Sequence, residues 1–217
     1  MVLGVEKKSA AQLQDARTMR KIVTIDDHIC MAFAGLNADA RVLVDMARVE
    51  GQSFRLNLDE PVDPEHITKH IAGIQQRYTQ SGGRRPFGIS TLIAGFTPLG
   101  APYLSQTDPS GNFAEWKANA IGRNAKPTRE FLEKNYTGGL DVAGAVKLVV
   151  RSLMETVEAS GKTVEMAVME REGGEAMRLL TAEEVEAVVK EVEEEKAAAE
   201  ASRKGRSGGG GGDIVMS

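Results

Sequence analysis

The chain holds a single cysteine, Cys30, in 217 residues, so no disulfide can form within it. With no secretion pattern after Met1, the reading is an intracellular chain. No apolar run approaches the ~18 residues that a bilayer span needs, which argues against a membrane partner. Neither sign of charge dominates: 27 Lys and Arg face 31 Asp and Glu, for a net charge of −4. A dedicated nucleic-acid binder shows a basic face, so nucleic acid is not an expected partner. Catalytic signatures are equally scarce. There is no Walker-type phosphate loop and no GxSxG nucleophile elbow. What is present suits one ordinary domain: 41% hydrophobic and 27% charged residues, enough to bury a core and too apolar for an overall disordered chain.

Apolar runs and helical stretches alternate in blocks. Val2 to Val5 reads as a strand, and Ile22–Ile25 and His28–Phe33 as two strands joined at Asp26-Asp27, since Asp tolerates turn geometry. Asn37 is the expected cap of a first helix with Asp39 in its first turn and a stripe of Val42, Leu43, Met46 and Val49. Asp63-Pro64 opens a second helix with Ile67, Ile71, Ile74 and Tyr78 on one face, stopped by Ser81-Gly82-Gly83. Strands are expected over 87–96, 103–107 and 112–121, the last two joined by a type I turn at Asp108-Pro109-Ser110-Gly111. A helix over 128–136 and another capped by Asp141, with Val142, Val146, Val149, Leu153 and Val157 inward, follow. Strands over 164–169 and 176–180 precede an acidic helix from Thr181 with Val185, Val188, Val189 and Val192 as its narrow apolar stripe. From Arg203, through the run Gly208 to Gly212, the composition is that of a flexible tail. Hairpin-like strand connections with intervening helix pairs allow two antiparallel sheets covered by helices on their outer faces.

Candidate chemistry is thin. His66 and His70 stand at i, i+4, the spacing of two zinc ligands, but Ile67 occupies the place of a zincin's glutamate and no third ligand is evident. They read as a solvated helix face. His28 lies in an apolar strand and reads as a satisfied core or edge residue. Cys30, flanked by Ile29 and Met31, reads as a buried inert thiol. Adjacent Asp26 and Asp27 would point to opposite faces of a strand, so a turn is the more economical reading than a carboxylate pair. The glutamates around Glu193 to Glu195 read as a solvated helix face.

Several segments carry a family resemblance: GVEKKSA (4–10), MAFAGLNADAR (31–41), QRYTQSGGRRPFGIS (76–90), QTDPSG (106–111), WKANAIGRNAK (116–126) and REFLEKNY (129–136). Together, in this order, they resemble the α-type subunits of the proteasome core particle, from Met1 to about Lys204. The resemblance implies an α+β fold, the four-layer αββα sandwich of the N-terminal-nucleophile hydrolases, with two antiparallel sheets between helix layers. It implies a non-catalytic structural subunit of the α ring, without cofactor or metal, acting in ubiquitin-dependent protein degradation in cytoplasm and nucleus. Its implied partners are other α subunits, β-ring subunits, and regulatory-particle ATPases or other activators.

Catalytic relatives of β type use a threonine whose free amine serves as base for its own hydroxyl. This sequence offers no such residue in its opening apolar strand, although Lys21 matches the position of their active-site lysine. In α subunits the resemblance gives that lysine another use. Lys21, with Gly35 and Leu36, is expected to form a pocket between neighbouring subunits that receives an activator's C-terminal carboxylate. Without the resemblance, Lys21 reads as a surface lysine and Gly35 as a strand-end glycine.

The family normally has a longer N-terminus, with a gating tail, a first helix and a first strand. The expectation is therefore a domain over residues 1–202 lacking those elements, with an unpaired edge at Val2 to Glu6, and a flexible Gly-rich tail over 203–217. It arises either from an incomplete gene model or from a truncated isoform impaired in assembly. Two other readings compete: an N-terminal-nucleophile peptidase, and a free-standing adaptor binding through its acidic C-terminal helix.

Overall fold

Which faces of the strands carry apolar side chains decides how the layers stack. The computed structural model describes residues 1–7, 20–156, 163–170 and 177–207, with backbone alone for 199–207. Lys8 to Ala10 of the first quoted segment, Val157, Ala176 and the glycine run lie outside the described residues.

The elements are β1 (Val2–Glu6), β2 (Ile22–Asp26), β3 (Ile29–Gly35), α1 (Asn37–Leu58), α2 (Pro64–Gln80), β4 (Ile89–Phe96), β5 (Pro102–Thr107), β6 (Phe113–Glu115), α3 (Ala125–Asn135), α4 (Val142–Met154), β7 (Val164–Val168), β8 (Arg178–Leu179) and α5 (Ala182–Ser207). They form a sheet in the order β1-β7-β8 and a second in the order β2-β3-β4-β5-β6. Every pairing between them is antiparallel.

Alternation along β3 and β4 feeds two cores at once. Ile29, Met31 and Phe33, with Ile89 and Ile93, face the helices α1 and α2 and pack on Leu43, Ile67, Ile71 and Ile74. Cys30, Ala32, Leu92, Ala94 and Phe96 face the other sheet and meet Leu3, Ala167 and Met169. The far face of that sheet presents Val164, Met166 and Val168 to Val146 and Val150 of α4 and to Val185, Val189 and Val192 of α5. Helices, sheet, sheet, helices: the expected αββα sandwich. Full burial of a residue such as Leu43, at 0% exposure, contributes roughly 1.5–3 kcal/mol before entropy is subtracted.

Local signals hold where they depend on near neighbours. The Asp63 side chain accepts from Glu65 N ahead of Pro64, and Asp141 accepts from Gly144 N at the start of α4. Gly111 N donates to Asp108 O across the expected turn.

Other expectations are corrected. Leu36, not Asn37, is the residue at the N-cap of α1, in an extended conformation with no side-chain cap bond. Its backbone N–H is already committed to Gly88 O, 3.0 Å away. The inward face of α1 is Ala40, Leu43, Val44, Ala47 and Gly51, whereas Val42 and Val49 are exposed. The strand expected over 112–121 shrinks to Phe113–Glu115. Beyond it, Asn119 bonds the Gln106 side chain and turns its Oδ1 onto Ala120 N, replacing the ladder. The helix α5 spans Ala182–Ser207.

Candidate functional site

Lys21 precedes β2, and its backbone oxygen accepts from Phe33 N, so it stays aligned with β3. Its side chain crosses to the other sheet, where Nζ donates to Glu6 O at 2.8 Å. An ammonium has three N–H donors. Among the described residues, this bond is the one hydrogen bond that the Lys21 ammonium makes.

The space beside it is a groove of about 1770 Å3 between β1, the β3–β5 face, the 115–124 segment and α4. Lys21 and Gly35 both line it, together with Glu6, Asn37 and Arg123. Leu36 does not line it; it stands at the N-cap of α1 with half its surface exposed. The structure thus brings two of the three expected pocket residues onto one groove and the third to its flank.

Gly35 is required where it stands. Its φ is +131°, and a Cβ there would lie 2.1 Å from Gly88 O and 2.9 Å from Ile89 Cα. No side chain fits between these strands, so only glycine can stand here.

Sequence reasoning missed the group that seats this backbone. The Asp39 carboxylate, in the first turn of α1, grips Arg85: Nη1 donates to Oδ2 and Nη2 to Oδ1, each at 2.7 Å. Gly88 N donates to Oδ2 at 2.9 Å. The Arg85 hydrogen bonds, foremost, with that backbone bond lower the Asp39 pKa to about 2, against the opposing effect of burial. Asp39 is 46 residues from Arg85, a separation that no local pattern signals. Because the folded-state pKa is depressed, the clasp's contribution to stability is fully present above about pH 4 and lost as pH falls toward 2. A carboxyl NMR titration should place the Asp39 midpoint near 2; a midpoint near the ordinary 3.8 would refute the clasp.

The other candidates find structural partners. Burial pushes the Cys30 thiol up to about 12, and it donates to Ala94 O at 3.5 Å. It is inert at neutral pH. His28 Nε2 is 2.7 Å from Val62 O, so it is the donor there and a satisfied core residue. Asp26 is buried and takes two 3.0 Å bonds from Arg55, while Asp27 is exposed at the turn. His66 and His70 both turn to Glu50 of α1, at 2.8 and 3.6 Å. That third side chain was not evident from spacing, yet no group of three such residues among those described could hold a metal ion. Glu195, expected on a solvated face, is half-exposed and binds Lys147 and Arg151 of α4.

A family model described as "Proteasome subunit" matches residues 1–169. The chain belongs to the proteasome subunit family. Proteasome subunit alpha type-7 of Cicer arietinum is 60% identical over 196 residues, covering 89% of this chain and 77% of that relative. Its namesake in Solanum lycopersicum is 59% identical over 196 residues, 89% and 74%. Proteasome subunit alpha type-8 of Mus musculus is 55% identical over 195 residues, 89% and 77%. This proteasome chain is therefore a non-catalytic α-type subunit, a structural component of the α ring that assembles with other proteasome subunits. No helix among the described residues is long and apolar enough to cross a membrane.

Proposed function

We propose that this α-ring subunit, besides building the ring and stacking on the β ring, docks regulatory-particle ATPases or other activators. Lys21 receives the C-terminal carboxylate of the incoming chain, in a pocket completed by the ring neighbour. Gly35 and Leu36 supply the wall along which that chain lies. The place of action is cytoplasm and nucleus, and the process is ubiquitin-dependent degradation.

One observation carries the reading: Lys21 and Gly35 share the groove, and the ammonium spends one bond among the described residues on Glu6 O. Two N–H donors suit a carboxylate's two oxygens. At about 4 Å in a partly screened cleft, such a pair attracts by on the order of 4 kcal/mol before desolvation. A carboxylate also meets no side chain at Gly35, where none can be built.

The test uses core particles containing this subunit and a fluorescent peptide copying the last eight residues of an activator, as free acid and as amide. The free acid should bind at least about tenfold more tightly, the size of one charge-assisted hydrogen bond. Equal binding of both forms would defeat the docking role.

A further inference from the structure

The clasp between Asp39 and Arg85 lies outside the groove, since neither residue lines it, yet it reaches the wall through Gly88, which is bonded to Asp39 and Leu36 and lies against Gly35. Its carboxylate receives three N–H groups, and the Asp39 side chain is 10% exposed. Arg85 Nη1 reaches further, to Pro86 O at 3.1 Å, which fixes the guanidinium plane against its own chain. Held this way, Gly88 offers its carbonyl to Leu36 N at 3.0 Å. The same oxygen fills the space a Gly35 side chain would need. On its other side, Leu36 Cδ1 is 2.8 Å from where a Cβ on Gly88 would stand. The bonds close a ring: Asp39 to Gly88, Gly88 to Leu36, and Leu36 O back to Ala40 N in the first turn of α1 at 3.1 Å.

We propose that Arg85 and Asp39 are positioning residues for carboxylate docking, setting the backbone of Gly35 and Leu36 at the height Lys21 requires. This rests on the docking role just described. The physical reason is the ring of bonds. Asp39 is the acceptor that holds the 85–88 segment down, and Gly88 O is the acceptor that holds the wall. A bidentate guanidinium pair fixes direction as well as distance, which a lysine in its place cannot do. Released, Gly88 would rise with the segment that carries it, and Leu36 would lose the partner of its N–H.

The experiment compares core particles carrying wild-type subunit, Arg85→Ala and Arg85→Lys. It reads the ratio of free-acid to amide peptide affinity, thermal stability, and hydrogen exchange at Leu36. Positioning predicts that the ratio falls about fivefold in Arg85→Ala, with faster exchange at Leu36 and only partial recovery in Arg85→Lys. A purely structural clasp would lower stability or particle yield and leave the ratio intact in the particles that form. An unchanged ratio in Arg85→Ala overturns the proposal. If Arg85→Ala yields no particles, the ratio in Arg85→Lys decides in the same way. A wild-type ratio of one would instead sink the docking role itself.

Discussion

Lys21→Ala is expected to weaken binding of a free-acid activator peptide to the core particle by about 10- to 100-fold, the effect of losing a hydrogen bond to a charged group. Amide peptide should be affected little, because it offers no charge for the ammonium to meet. The Lys21 side chain has one structural task as well, the bond to Glu6 O. Water can take over that carbonyl on the half-buried β1, so the cost to the fold should stay near 1 kcal/mol. Ring assembly then survives and the docking defect can be read by fluorescence anisotropy. Lys21→Arg keeps the charge and should fall between the two. Raising the salt should shrink the wild-type advantage, since a partly open cleft is screened. Unchanged affinity in Lys21→Ala would remove Lys21 from the docking site.

Gly35→Ala should be the more damaging change to the protein itself. The new Cβ would sit 2.1 Å from Gly88 O, a distance no side-chain rotation relieves because the backbone fixes the Cβ and its partner is a backbone oxygen. Its φ of +131° adds strain for any L side chain. A loss of about 3 kcal/mol or more is expected, read as a drop in melting temperature of about 10 °C for a domain of this size. Gly82→Ala is the control. An added Cβ there meets nothing within 4 Å, and the change should be neutral or slightly stabilising. Equal stability of Gly35→Ala and wild type would disprove the close approach between residues 35 and 88.

Much of the candidate site was legible, for uneven reasons. Lys21, Gly35 and Leu36 came from family likeness, not from local pattern; by themselves they resemble a surface lysine and a strand end. Asp39 was visible only as an acid in a helix's first turn. Its work with Arg85 and Gly88 depends on β3 and β4 lying side by side, paired at Gly35 and Ile89. Glu50 joined His66 and His70 for a similar reason, because α1 and α2 pack against each other. Spacing along one helix cannot report a partner on the next.

The sequence determined by itself whatever a few adjacent residues decide. Asp63 ahead of Pro64, Asp141 ahead of α4 and the Asp108–Gly111 turn are settled within four residues, where chain connectivity supplies the proximity. The near-continuous apolar run of β3 likewise suits burial on both faces, and its residues feed two cores. Tertiary structure alone decided that α1 turns Val42 and Val49 outward. It also decided that the strand after Gly111 ends at Glu115, and that an ammonium before β2 reaches across to β1. Those outcomes depend on which surfaces and donors meet once the chain has folded back, and a neighbour supplied by folding leaves no mark on the residues beside it in sequence.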